Sequence, residues 1–317
     1  MWFQTPYLVL KSARPRQWLK NLALYAPLFF SGLLFFRPET GLAYFWTVTY
    51  AVVIFSILTS SIYLINDIVD IKEDARHPYK RKRPLASGEL PIPVATFFAV
   101  TGLIVVFFLS LSLSPFFRMM MLAYLLLQLV YALRLKKIAI FDVVSIALGF
   151  LIRIYAGAVI VELHTSVWFL LTVVSASLFL AVGKRQSERT LLKDRQVEFA
   201  RKTLKNYSQR LLDQYTGMFA NATWLTYALF AFQHQTAQVT PVYERFPELY
   251  TFLPRTLQSQ KLLMLTLPFV IFGVMRYLQL VYEKNQGESP ERVLLGDKML
   301  LWSVLLFGLV AFVVLYG

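Results

Sequence analysis

Residues 43–74 read AYFWTVTYAVVIFSILTSSIYLINDIVDIKED, and two features of this stretch decide what kind of chain it belongs to. Up to Ile65 it is apolar and carries no charge, close to the length of about 20 residues that takes an α-helix across a bilayer. From Asn66 onward it turns acidic, with Asp67, Asp70, Glu73 and Asp74 following in quick succession. A membrane helix therefore ends in a cluster of carboxylates.

Similar apolar runs lie at roughly 21–36, 92–113, 116–133, 142–161, 165–182, 214–236, 260–282 and 296–316. With the run at 43–65 they predict an all-α integral membrane protein of about nine transmembrane helices, a single polytopic domain over residues 1–317. The first run is the least regular and is expected to be a tilted or partly interfacial helix. Pro115 and the link Glu162-Leu163-His164-Thr165 break runs that would otherwise be too long. The composition agrees: 57% of the 317 residues are hydrophobic and 16% are charged, against about 25% charged in soluble domains. A soluble enzyme is excluded.

Lys and Arg exceed Asp and Glu by 32 to 18, a net charge of +14. In a soluble protein this surplus would raise nucleic acid as a partner; here its placement accounts for it. Lys11, Arg14, Arg16 and Lys20 precede the first run, and further basic groups lie at Lys72–Arg83, Arg134–Lys137, Lys184–Arg210 and Arg276–Lys298. The alternate connections hold only Arg37, Arg118, Arg245, Arg255 and Lys261. Cytoplasmic loops are enriched in Lys and Arg. The N-terminus is thus expected in the cytoplasm of a plasma-membrane protein, with the C-terminus outside. No cleavable signal pattern opens the chain, so the first run is expected to be retained. Two inner loops, about 66–91 and 184–213, are long and polar, which favours functional loops over mere connections. There are no cysteines, so thiolate chemistry and disulfides are absent.

Helical continuation past Ile65 puts Asn66, Asp70 and Asp74 at i, i+4 and i+8, with Asp67 alongside, on one face. Clustered carboxylates repel and need a positive partner. Hard oxygen donors with open positions suit Mg²⁺, which binds through one or two carboxylates together with substrate phosphates. A diphosphate bridged by such an ion becomes a good leaving group. The plainer reading is a solvated helix end whose acids pair with neighbouring bases. The cluster is followed by Arg76-His77-Pro78-Tyr79-Lys80-Arg81-Lys82-Arg83, where Lys80 and Arg83 are the best phosphate partners. Arg153 lies within a span, 11 residues past Asp142, and serves either a buried ion pair or a substrate contact. Of the three histidines only His77 neighbours the cluster, and their spacing is not that of a metal site.

Asn66-Asp67-x-x-Asp70-x-x-x-Asp74 resembles the first aspartate-rich motif of the UbiA-type intramembrane prenyltransferase superfamily. The similarity continues in Arg14-Pro15-x-Gln17-Trp18-x-Lys20-Asn21, in His77-Pro78-x-Lys80-Arg81-x-Arg83-Pro84, and in Arg153 with Tyr155-Ala156-Gly157. It extends to Gly183-Lys184-Arg185, Arg276-Tyr277 and Glu288-Ser-Pro-Glu-x-x-Leu-Leu-x-Asp297, and so covers nearly the whole chain.

These motifs are most similar to the branch that moves phosphoribose. The resemblance implies a helical bundle around a central cavity open to the cytoplasm. It implies transfer of 5-phosphoribose from phosphoribosyl diphosphate (PRPP) to decaprenyl or another polyprenyl phosphate, a step toward arabinose donors for cell-wall arabinan. Asn66, Asp67, Asp70 and Asp74 would hold Mg²⁺, and Lys20, Lys80, Arg83, Lys136 and Lys184 would neutralise phosphates. Arg14, Gln17, Asn21, Tyr63, His77, Tyr131, Arg153 and Arg185 complete the implied substrate-binding set.

One departure stands out. Superfamily members acting on aromatic acceptors carry two carboxylates four apart where this chain has Asp142-Val-Val-Ser-Ile146. Asp142 is then expected to bind a second Mg²⁺, to contact ribose hydroxyls or to stabilise an oxocarbenium-like transition state. The alternative is prenyl transfer from an isoprenoid diphosphate to an acceptor such as 4-hydroxybenzoate. A transporter or lipid-binding protein is disfavoured, because its ionisable residues would lie near mid-membrane. The sequence leaves a homo-oligomer open.

Overall fold

In hydrocarbon every backbone N–H and C=O must be satisfied within the protein, so a chain this apolar folds as helices. A computed structural model describes residues 5–39, 41–76, 80–191, 204, 206–234, 261–284 and 290–316, and among them there are helices and no strands. Helix α1 (Thr5–Ala13) leads into a 3-10 stretch, Pro15–Leu24, and a short α2 (Tyr25–Phe30). Then follow α3 (Tyr44–Val69), α4 (Ile71–Arg76), α5 (Ile92–Ser110), α6 (Pro115–Leu133), α7 (Phe141–Val159) and α8 (Val167–Leu191). The chain closes with α9 (Gln209–Gln233), α10 (Leu267–Tyr282), α11 (Pro290–Gly296) and α12 (Lys298–Tyr316).

Seven of these segments are long and apolar enough to cross a membrane: α3, α5, α6, α7, α8, the stretch Leu262–Tyr282 that ends in α10, and α12. Two of the nine expected spans are not among these seven. Over 21–36 the chain is no spanning helix. The 3-10 helix Pro15–Leu24, with Arg16, Gln17, Lys20 and Asn21, runs into its start, and Pro27 has no N–H with which to bond back across the joint to α2. Helix α9 has the length to span but is more polar along its course, with Asn221, Thr223 and Thr226 in its middle. The breaks are where they were expected: Ser114 caps α6 ahead of Pro115, and residues 160–166 form the turn between α7 and α8. The second polar loop starts later than expected, since Lys184 to Leu191 continue α8. Its Lys193, Arg195, Arg201, Lys202 and Lys205 lie outside the described residues, as do Arg245, Arg255, Glu288 and Ser289.

The helices close around one another through apolar faces. Leu24, Leu28, Ile54, Phe55, Leu58, Phe117 and Ala156 join the N-terminal segment to α3, α6 and α7. Ile154, Phe169, Tyr227, Phe230, Ala311 and Leu315 join α7 to α8, α9 and α12. The tightest approach is at Gly157, where an added Cβ would stand 2.0 Å from the Leu24 carbonyl oxygen and 2.7 Å from its carbon. Backbone lies on both sides, so nothing flexible can yield. Gly157→Ala is expected to destabilise the fold by about 1–3 kcal/mol or more, measured as a lower unfolding midpoint in detergent. An unchanged midpoint would mean that the two segments part at no cost.

Candidate active site

The helix ends place the charges. Helix α3 stops at Val69 and α4 restarts at Ile71, yet the Asp70 N–H still bonds the Asn66 carbonyl (2.9 Å) and the Asp74 N–H that of Asp70 (2.8 Å). The acids thus stay in helical register across the joint. Arg14 is one of the few non-glycine residues with a left-handed backbone (φ 54°), a turn that redirects the chain after α1 and aims its guanidinium at Asp67.

A cavity of about 320 Å³ opens between these elements. Arg14, Gln17 and Lys20 reach it from the N-terminal segment, and Tyr63, Asn66, Asp67 and Asp70 from α3. Lys80 and Arg83 line it from the following loop, Tyr131 and Lys136 from the end of α6 and the turn after it, Arg153 from α7 and Lys184 from α8. The sequence placed all of these in the site.

Seven cationic side chains therefore face two carboxylates, Asp67 and Asp70, across the cavity. Asp67 is 3% exposed and receives hydrogen bonds from Arg14 and, at 3.2 Å, from Arg83. Lys136 pairs with Asp70. The Arg14 guanidinium also stacks 4.9 Å from the Tyr63 ring centre.

Four expected site residues lie elsewhere. Asp74 does not line the cavity: it binds Arg83, with Lys80 at 3.9 Å, and so orients cations instead of facing the ligand space. Asn21 is wholly buried, donating to Ser56 (3.1 Å) and Thr59 (3.3 Å) of α3 and accepting from Arg153 Nε (3.0 Å). Asp142 is 0% exposed, and Arg185 1%.

Arg185 Nε donates to Asp142 Oδ2 (2.8 Å) and its Nη1 to Glu188 (2.7 Å). The Tyr207 hydroxyl donates to Asp142 Oδ1 (2.8 Å) and accepts from the Ile140 N–H (2.6 Å). Burial, with Asp142 adding to it, pushes the Tyr207 hydroxyl well above the usual phenol range. Each oxygen of this carboxylate accepts a bond, and the group is buried away from the cavity. Asp142, expected in the catalytic set, lies outside the cavity and fastens α7 to α8. His77 lies outside the described residues. At the far motif, Arg276 clamps Asp297 with two bonds (3.1 and 2.7 Å), and Asp297 caps α12; the clamp holds its carboxyl down to about 2.

Sequence reading missed Tyr124, Gln128, Ser145 and Ser177, all of which line the cavity. A signal existed. Tyr124, Gln128 and Tyr131 recur at i, i+4 and i+7 on the otherwise apolar α6, and Ser145, Gly149 and Arg153 at i, i+4 and i+8 on α7. Polar residues that share one face of a spanning helix point away from lipid.

Among the described residues no three carboxylate or imidazole groups form a ready metal cage. The donors still suit Mg²⁺, which takes few protein ligands and completes its shell with water and phosphate. Asn66 Oδ1 is buried without a hydrogen-bond partner, beside Asp67 and Asp70 at the cavity wall.

The sequence profile of the UbiA prenyltransferase family matches residues 24–304. A decaprenyl-phosphate phosphoribosyltransferase of Mycolicibacterium smegmatis is 34% identical over 92% of this chain and 87% of its own length. One of Mycobacterium tuberculosis is 37% identical over 71% and 74%. Among solved structures, a UbiA homolog from Archaeoglobus fulgidus bound to GPP and Mg²⁺ superposes with a TM-score of 0.67, at 17% identity over 97% of this chain and 99% of that one. The apo UbiA homolog from Aeropyrum pernix gives 0.56, at 16% identity over 91% and 97%.

Proposed function

This chain belongs to the UbiA prenyltransferase family, and from that premise we infer that it transfers 5-phosphoribose from PRPP to decaprenyl or a similar polyprenyl phosphate. The observation that carries the reading is the charge balance of the cavity, seven cations against two acids. A prenyl diphosphate reacting with an aromatic acceptor such as 4-hydroxybenzoate brings one polyanion and at most a single carboxylate; PRPP and a lipid phosphate bring two polyanions, each repelling the other. The names of the mycobacterial relatives support decaprenyl phosphate as acceptor and a phosphoribosyl group as what is transferred.

The oxygens of Asn66, Asp67 and Asp70 would hold the Mg²⁺ that stabilises charge on the departing diphosphate. Lys20, Lys80, Arg83, Lys136 and Lys184 bind and orient the phosphates, which converts a meeting of repelling anions into a positioned attack. A phosphate monoester is largely ionised at neutral pH, so its oxygen attacks ribose C1 without a general base. The bond from C1 to the lipid phosphate forms, the bond to diphosphate breaks, and the diphosphate leaves with the electron pair. The mouth of the cavity faces the cytoplasm in this reading, where the basic segments gather and PRPP is soluble.

The test compares two assays of protein purified in detergent with Mg²⁺. Labelled PRPP with decaprenyl phosphate is expected to give a labelled lipid, and a chelator to abolish it. A prenyl diphosphate with 4-hydroxybenzoate is expected to give nothing. Product in the second assay alone would transfer the assignment to aromatic prenylation, and silence in both would overturn it.

A further inference from the structure

Arg153 has no carboxylate partner among the described residues, although it is only 5% exposed and sits inside a spanning helix. Its bonds go to neutral groups: Nε to Asn21 Oδ1 (3.0 Å), Nη1 to the Gly149 carbonyl (3.2 Å) and Nη2 to the Tyr124 hydroxyl. The ring centres of Tyr124 and Phe150 lie 4.6 and 5.5 Å from its guanidinium carbon. A buried charge without a counter-ion costs several kcal/mol, and a fold rarely bears that cost unless a ligand supplies the missing charge.

The guanidinium is also held ready. A guanidinium has five N–H donors, and these three bonds use one on each nitrogen. One N–H remains on Nη1 and one on Nη2, enough to donate two bonds to a phosphate. A Cβ at Gly149 would stand 3.4 Å from Gln128 Nε2 and 3.7 Å from Arg153 Nη1, so two polar donors that line the cavity lie close together there.

Its level in the bundle sets it apart from the acids. Through Asn21 it is tied to Ser56 and Thr59 on α3, and Thr59 lies seven residues, about 10 Å at the helical rise, before Asn66.

We propose that Arg153 is the receptor for a phosphate monoester, one level deeper in the cavity than the Asn66–Asp70 diphosphate site. This rests on the phosphoribosyl reading above, in which both substrates carry such a group: the 5-phosphate of PRPP and the phosphate of the lipid. A ribose ring separates the 5-phosphate from the C1 diphosphate, so a second cation at a distance from the first group is what PRPP requires. A prenyl diphosphate has no second phosphate to place there.

The test measures binding, without turnover, of ribose 5-phosphate, geranyl phosphate and Mg²⁺–pyrophosphate to wild type, Arg153→Lys and Arg153→Met in detergent. One monoester is expected to bind Arg153→Met roughly 10–100-fold more weakly than wild type, with Arg153→Lys in between. Mg²⁺–pyrophosphate is expected to bind all three alike, which a general loss of structure would not allow. Weakening confined to ribose 5-phosphate assigns the PRPP 5-phosphate; weakening confined to geranyl phosphate assigns the lipid. If Arg153→Met does not fold, Arg153→Lys keeps the charge, loses the fork and carries the test alone. Unchanged binding of both monoesters to the folded variants overturns the proposal, as does wild type that binds neither. The substrate comparison would still stand in either case, so the two readings fail separately.

Discussion

Asp70→Asn is expected to lower the formation of labelled lipid by roughly 10²–10³-fold or more, the scale on which losing one group that stabilises developing charge slows an enzyme. Asn matches Asp in shape and can still accept from Lys136, the partner of Asp70. The side chain is partly exposed at the cavity wall, so little packing depends on it. What disappears is the negative charge that a divalent cation requires. Unfolding in detergent should hardly change, while the Mg²⁺ concentration for half-maximal residual rate should rise. Asp74→Asn supplies the contrast: Asp74 touches Arg83 and Lys80 outside the cavity, and its loss should act through the orientation of those cations and be smaller. Most of the activity surviving in Asp70→Asn would sink the metal assignment.

Arg185→Met is expected to cost about 3–5 kcal/mol of stability, because it strands the wholly buried carboxylate of Asp142 without a cation. Tyr207 would remain as its one hydrogen-bond donor. The measurement is the unfolding midpoint in detergent, set in a cycle with Asp142→Asn and the double variant. Removing both charges should recover much of the loss, since the cost lies in the unpaired ion and not in the missing contact. The same double variant decides the role of Asp142. Folded and within about tenfold of wild-type turnover, it leaves Asp142 as a fastener of α7 to α8. A collapse of turnover at preserved stability would return Asp142 to the chemistry.

The two residues also differ in how far the sequence alone could place them. Asp70 was legible because its neighbours are local. Asn66, Asp67 and Asp70 lie within five residues at a helix end, and helical register alone brings them to one side. Asp142 was not legible in that way. Its partners Arg185 and Tyr207 are 43 and 65 residues away, and nothing in residues 142–146 indicates whether a lone carboxylate faces a cavity or a guanidinium. Arg153 stood between the two cases, since its depth in a span followed from spacing while the identity of its partners did not.

By itself the sequence determined the class of the molecule, the family and which charged residues gather at the cavity. Apolar runs of bilayer length, Lys and Arg on alternate connections, and acids beside bases all act over a few residues or through composition, and such signals survive without coordinates. The tertiary structure decided the rest. It broke the expected first span at 21–36 into two short pieces that meet at Leu24 and Tyr25, with Asn21 buried beside Arg153. It turned Asp74 and Asp142 away from the cavity and brought in Tyr124 and Gln128. Which of several similar charges meets which depends on how helices distant in the chain approach one another. In a low-dielectric interior that pairing determines whether a carboxylate is a ligand or a strut.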